Sequence, residues 1–154
     1  MDEGADEGGG GNFIRTARLV AWGGCMPLVV LALWLFTIAP DHPWRGATDQ
    51  LLVTFAALAL AFLGGTRWGF SAAIDGGSRG DLAVAILSVV IAWAALSMPT
   101  PSSYAILAVA FAALGAADAL AAYSGGMPEW HGRLRMQVTP VAVGAMVLAF
   151  AATA

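Results

Sequence analysis

The chain has no lysine; all seven of its basic residues are arginine. Charge of either sign is scarce, at 11% of residues against 59% hydrophobic, whereas a soluble domain is about a quarter charged. The few polar residues cannot cover a water-soluble globule, so that class is excluded. The single cysteine, Cys25, excludes an internal disulfide and lies within an apolar run, where it reads as a small core residue. Two histidines, His42 and His131, stand far apart with no second histidine or cysteine beside either. That leaves no ligand set for zinc, and no metal or other cofactor is expected. No glycine-rich phosphate loop follows a strand, and no nucleophile stands with a base, so an enzyme is not expected. Nothing in the sequence makes a case for nucleic-acid binding. The first residues are acidic and lack arginine, unlike a mitochondrial presequence. The run after Arg18 is long for a signal peptide and ends on no clear small-x-small site, so it is expected to be retained.

What is present is a series of apolar runs, each near the roughly 20 residues that cross a bilayer's hydrocarbon. They predict spans over Leu19–Ala39, Leu51–Trp68 (with an extension toward Ala73), Leu82–Met98, Tyr104–Tyr123, and from Leu134 to Ala154. Pro27, after Gly23 and Gly24, predicts a kink or loosened turn in the first span; neighbouring helices can satisfy the freed carbonyl. Loops are short: residues 40–46, 75–80, 99–103 and 124–133. Thr48 or Asp49 is placed to cap the second helix and Asp81 the third. No internal repeat is visible. The fold class is all-α: a polytopic membrane bundle of five transmembrane helices, forming one domain over residues 14–154. Residues 1–13, acidic and glycine-rich, predict a disordered tail.

Arginines in short loops mark the cytoplasmic side. Arg15, Arg18, Arg67, Arg79, Arg133 and Arg135 fall on one side of this topology and only Arg45 on the other. The amino terminus is therefore expected in the cytoplasm and the carboxyl terminus outside. Trp22, Trp68, Tyr123 and Trp130 fall at the cytoplasmic edge, with Trp68 and Trp130 the clearest anchors. Trp44, Trp93 and Tyr104 fall at the outer edge, with Trp34 close to it.

Arg67 and Asp118 are the charges expected within helices. An ionised residue at the bilayer centre costs about 2.5–3.5 kcal/mol on insertion scales. A pair across the bundle relieves both costs, as a buried polar site or as a structural tie. Arg133 and Arg135 begin the last span; both contact lipid phosphate, or Arg135 turns inward to Asp118. The candidate polar cluster is thus Arg67, Asp118, Arg133 and Arg135. Gly64, Gly65 and Gly69 offer a small-residue face, and the Gly65–Gly69 spacing permits close helix approach.

The stretch Phe62-Leu63-Gly64-Gly65-Thr66-Arg67-Trp68-Gly69 resembles the signature of a small membrane family, domain of unknown function 3429, the transmembrane protein 69-like proteins. Pro128, Trp130, Leu134, Arg135 and Thr139 are similar to that family's Pro-x-Trp-Tyr segment followed by Leu-Arg and Thr. Gly24-Cys25-Met26-Pro27 is similar to its Gly-x-x-Pro, and Asp118 stands where an acid precedes the final loop. His131 replaces a usual tyrosine, and Leu28 a common aromatic. The resemblance implies an inner bacterial or mitochondrial membrane and no activity; the lysine-free chain without a presequence points to the bacterial one.

Two functions follow as expectations. The first is a non-enzymatic accessory or scaffold protein packing against a larger membrane complex or a second copy. The second is small-molecule or lipid binding or transport through a cytoplasm-facing polar site at Arg67 and Asp118. Single cysteines placed at the tail and at Ala154, in a Cys25→Ala background, are expected to react with an impermeant maleimide from opposite sides of the membrane. Labelling from one side only contradicts the five-span topology.

Overall fold

A computed structural model describes residues 6–73 and 78–154. Five helices form among the described residues: α1 (Asp6–Thr37), α2 (Arg45–Ala73), α3 (Arg79–Leu96), α4 (Ser102–Tyr123) and α5 (Glu129–Thr153). All five are long and apolar enough to cross a membrane. Their burial is the reverse of a soluble bundle's. Leu19, Phe62, Trp93 and Val109 are each more than two-thirds exposed on the outer faces, an arrangement suited to lipid and not to water. The expected disordered tail lies partly outside the described residues, at 1–5. From Asp6 onward the chain is helical, and a Cβ at Gly10 or Gly11 would meet nothing, so no packing against the bundle holds those two positions. Helix α1 runs through Pro27 and α5 through Pro140 without interruption.

Each helix packs on the next in sequence, α1 also packs on α5, and α2 touches α4 across the middle. The bundle is thus a closed ring with one diagonal contact. Short loops make successive helices antiparallel, so α1 and α5 run in step. Phe13 meets the Trp130 ring at one end, with centroids 5.9 Å apart, and Cys25 packs with Leu134 and Val138 further in. The central core is leucine and alanine with Phe111, Tyr104 and Met146.

Two seams are closer than ordinary side chains allow. Gly64 of α2 lies against Ser88 of α3, and Gly115 of α4 against Thr139 of α5; a Cβ at either glycine would collide. Gly132 likewise sits under Ala122. Among the glycines of the expected packing face, then, Gly64 alone makes an internal close approach. Gly65 and Gly69 point outward, and a Cβ there would meet nothing. One residue of phase on a helix is about 100°, enough to separate neighbours onto different faces.

Capping also differs from expectation. Ser78, not Asp81, is the N-cap of α3, its Oγ accepting from the Asp81 amide at 3.3 Å. Asp81 occupies the third helical position, which frees its carboxylate. Helix α2 begins at Arg45, so Thr48 and Asp49 lie inside it. Asp49 instead joins helices: Tyr104 Oη donates to its Oδ1 at 2.6 Å and Thr100 Oγ1 to its Oδ2 at 3.3 Å. Tyr104, in the first turn of α4, is fully buried, because its hydroxyl finds a carboxylate inside the bundle. At the same end Arg45 donates to the carbonyls of Leu35, Ile38 and Ala152.

The α4–α5 seam gives a direct test. Gly115→Ala is expected to destabilise the protein by about 1–3 kcal/mol, the usual cost of overpacking, read as denaturant unfolding in detergent. Adding Thr139→Ala removes the colliding methyl and the unpartnered Oγ1, and is expected to restore most of the loss.

Candidate functional site, a buried arginine–aspartate cluster

Helical periodicity brings four charges to one place. On α2 the buried positions Leu60, Gly64, Arg67 and Ser71 fall three or four residues apart. The same spacing joins Leu107, Phe111, Leu114 and Asp118 on α4, and Arg135, Val138, Ala142 and Ala145 on α5. Each charged residue therefore lies on its helix's own core-facing stripe. The Gly64–Ser88 seam draws α3 close, and two turns before Ser88 that stripe reaches Asp81.

Asp118 is the centre and is wholly inaccessible to solvent. Arg135 Nε donates to Asp118 Oδ2 at 2.6 Å. Arg67 approaches from the other side, its Nε 3.5 Å from Asp118 Oδ1. That contact is coulombic without hydrogen-bond geometry, and both atoms lack a hydrogen-bond partner. The Arg67 Nη2 is better served, lying 3.1 Å from Asp81 Oδ1 and donating to the Ala117 carbonyl at 3.4 Å. The result is a chain of alternating sign, Asp81–Arg67–Asp118–Arg135, crossing α3, α2, α4 and α5. Its formal charges cancel. An uncompensated buried ion leaves several kcal/mol unrecovered, so alternation is what makes burial of all three inner groups affordable.

Arg67, Asp118 and Arg135 of the expected cluster are thus together, with Arg135 turned inward. Arg133 is not with them. It is largely exposed and bonds Glu129 one turn earlier at 3.0 Å; two residues from Arg135 it faces the opposite side of α5. Trp68 is half exposed, while Trp130 is partly covered by Phe13. His131 is buried between the rings of Phe70 and Trp130, at 5.0 and 5.6 Å, and its Nε2 has no partner. Asp81 is the residue that sequence reasoning missed. The signal was the stripe Asp81, Ala85, Ser88, Ala92, Ala95, which continues one face of α3 into its first turn.

A family model described as "Protein of unknown function (DUF3429)" matches residues 13–151 of the chain. No curated protein and no solved structure shows significant similarity to it.

Because the cluster shares one buried carboxylate, its members are not independent. Asp118→Ala leaves two guanidinium groups facing each other and is expected to cost about 3–5 kcal/mol of stability. The paired change Asp118→Leu with Arg135→Met, which removes the short ion pair together, is expected to cost much less. A double-mutant cycle in detergent unfolding should give a larger coupling for Arg135 with Asp118 than for Arg67 with Asp118.

Proposed function

The chain belongs to the DUF3429 family of proteins of unknown function, and from that premise we propose that it is a non-enzymatic accessory protein of the bacterial inner membrane. It packs against a larger membrane complex through its lipid-facing helices, with its amino terminus in the cytoplasm and its carboxyl terminus outside. The observation that carries this reading is the outward-facing pair Gly65 and Gly69. Both are exposed, and a Cβ at either would meet nothing within the chain. Glycine in a membrane helix interior costs stability relative to alanine. A pair one turn apart on a free face is the geometry by which a second helix reaches backbone-to-backbone contact. Leu58 and Phe62, also exposed, continue the same stripe.

The charge cluster supports a structural role in this reading. Its formal charges cancel, and it joins four of the five helices. Arg67 and Asp118 are only 5% and 0% exposed, and neither lines the cavity at the Arg45 end or the cleft between α1 and α2. Transport through Arg67 and Asp118 has correspondingly less support.

Gly65→Leu separates docking from folding. A Cβ at Gly65 meets nothing in the chain and the position is exposed, so unfolding of the isolated protein is expected to be unchanged. Crosslinking in native membranes is expected to lose the adduct that the wild type forms through this face, with a second copy or with another membrane protein. An adduct that persists in Gly65→Leu, or a wild type that yields none, removes the proposal.

A further inference from the structure

A cleft opens between α1 and α2, with α5 and Phe111 of α4 behind it, enclosing about 850 Å³. That volume lies in the range of single-ligand sites, about 300–1,000 Å³. On α1 it extends from Phe13 to Leu28, about 22 Å at the helical rise, which is most of the roughly 30 Å of bilayer hydrocarbon. Its lips are Val20, Leu58 and Phe62, each more than 60% exposed, so it opens sideways toward lipid. The walls are apolar nearly throughout. The exceptions are Thr66, whose hydroxyl donates to the Leu63 carbonyl, and Arg135 and His131 at the inner end.

Those two residues are both more than nine-tenths buried, and each has a polar atom with no partner: Nη2 of Arg135 and Nε2 of His131. Asp118 uses only the Nε of Arg135, and it is shared with Arg67. The outer nitrogen of Arg135 is therefore a charged donor without an acceptor, about 9 Å along α5 from its first residue at the helical rise. A long apolar body with one acceptor-seeking end is the negative image of an amphipathic lipid. The head is selected by the unpartnered Arg135 nitrogen itself; Arg15, Arg18 and Arg79 are exposed at the same end of the bundle, as is the acid Glu129, and arginine near a membrane surface attracts anionic lipid.

We propose that this cleft holds one acyl chain of an anionic phospholipid, whose head or ester oxygens accept hydrogen bonds from Arg135 and His131. The lipid completes the charge chain at its open end and fills the gap between α1 and α2. The cleft borders the Gly65 face and shares Leu58, Phe62 and Gly69 with it, while Gly65 itself does not line the cleft.

Native mass spectrometry of the full chain from mild detergent, with phosphatidylglycerol or phosphatidylcholine of identical chains added, tests this. One lipid per chain is expected, with phosphatidylglycerol preferred about tenfold, as one or two added charge contacts imply. Gly24→Phe projects a ring into the cleft from a position where a Cβ meets nothing. It is expected to abolish lipid retention while leaving unfolding of the lipid-free protein unchanged. Arg135→Lys keeps the charge beside Asp118 but has one nitrogen in place of the guanidinium's separate outer nitrogen, and is expected to erase the headgroup preference. Gly65→Leu is expected to retain lipid normally, so that failure of the docking reading and failure of this one are told apart. A wild type that retains no lipid, equal retention of the two lipids, or undiminished retention by Gly24→Phe overturns the proposal; so does a protein segment found in the cleft.

Discussion

Asp118 carries a charge where no water reaches it, and the bundle is arranged around supplying its counterions. A carboxylate alone in an apolar medium is penalised far beyond the stability of a small protein. Two guanidinium groups, from α2 and α5, relieve that penalty by approaching from opposite sides. Their approach sets the rotation of three helices at once: α4 must aim Asp118 inward, and α2 and α5 must present Arg67 and Arg135 at the same depth. Asp81 then answers the far end of Arg67 and brings α3 into the same register. The close glycine seams lie between the same helices: Gly64 against Ser88 joins α2 to α3, and Gly115 against Thr139 joins α4 to α5.

The two ends of the bundle are held differently. At one end the ties are ionic and cross four helices. At the other, Tyr104 and Thr100 bind Asp49, and Arg45 gathers the free carbonyls of α1 and α5. Between them lies a dry interior of leucine, alanine and Phe111. Helix α1 alone contributes no charged side chain to the inner cluster. It is pinned by its carbonyls at the Arg45 end and held elsewhere by apolar packing on α5 and α2. The cleft lies between this helix and α2, away from the Arg45 end where the two are tied. Arg135 and His131, each with a buried polar atom left without a partner, line this cleft.

Much of this was legible in the residues. Five apolar runs separated by short polar loops name five helices, and the helix limits in the structure depart from those expected mainly by including flanking polar turns. Arg67 and Asp118 stood out as charges inside apolar runs. Arg135 was one of two arginines with alternative fates, and Arg133 took the other, bonding Glu129 in the open. Asp81 was missed because it reads first as a helix cap, a role that Ser78 fills three residues earlier. Tyr104 lies in the first turn of α4, at the end of the bundle where it is expected, but faces inward because Asp49 on another helix accepts from its hydroxyl.

The sequence by itself determined that the chain spans a membrane, how many times, and which end is rich in arginine. Those properties follow from the transfer free energy of each segment and do not depend on what the segment touches. The tertiary structure alone decided which guanidinium groups meet Asp118, which of three neighbouring glycines faces another helix of the chain, and where the cleft lies. Each of these rests on the rotation of one helix about its axis relative to another. A step of one residue turns a side chain by about 100°, and the choice among such rotations is made by all five helices packing together.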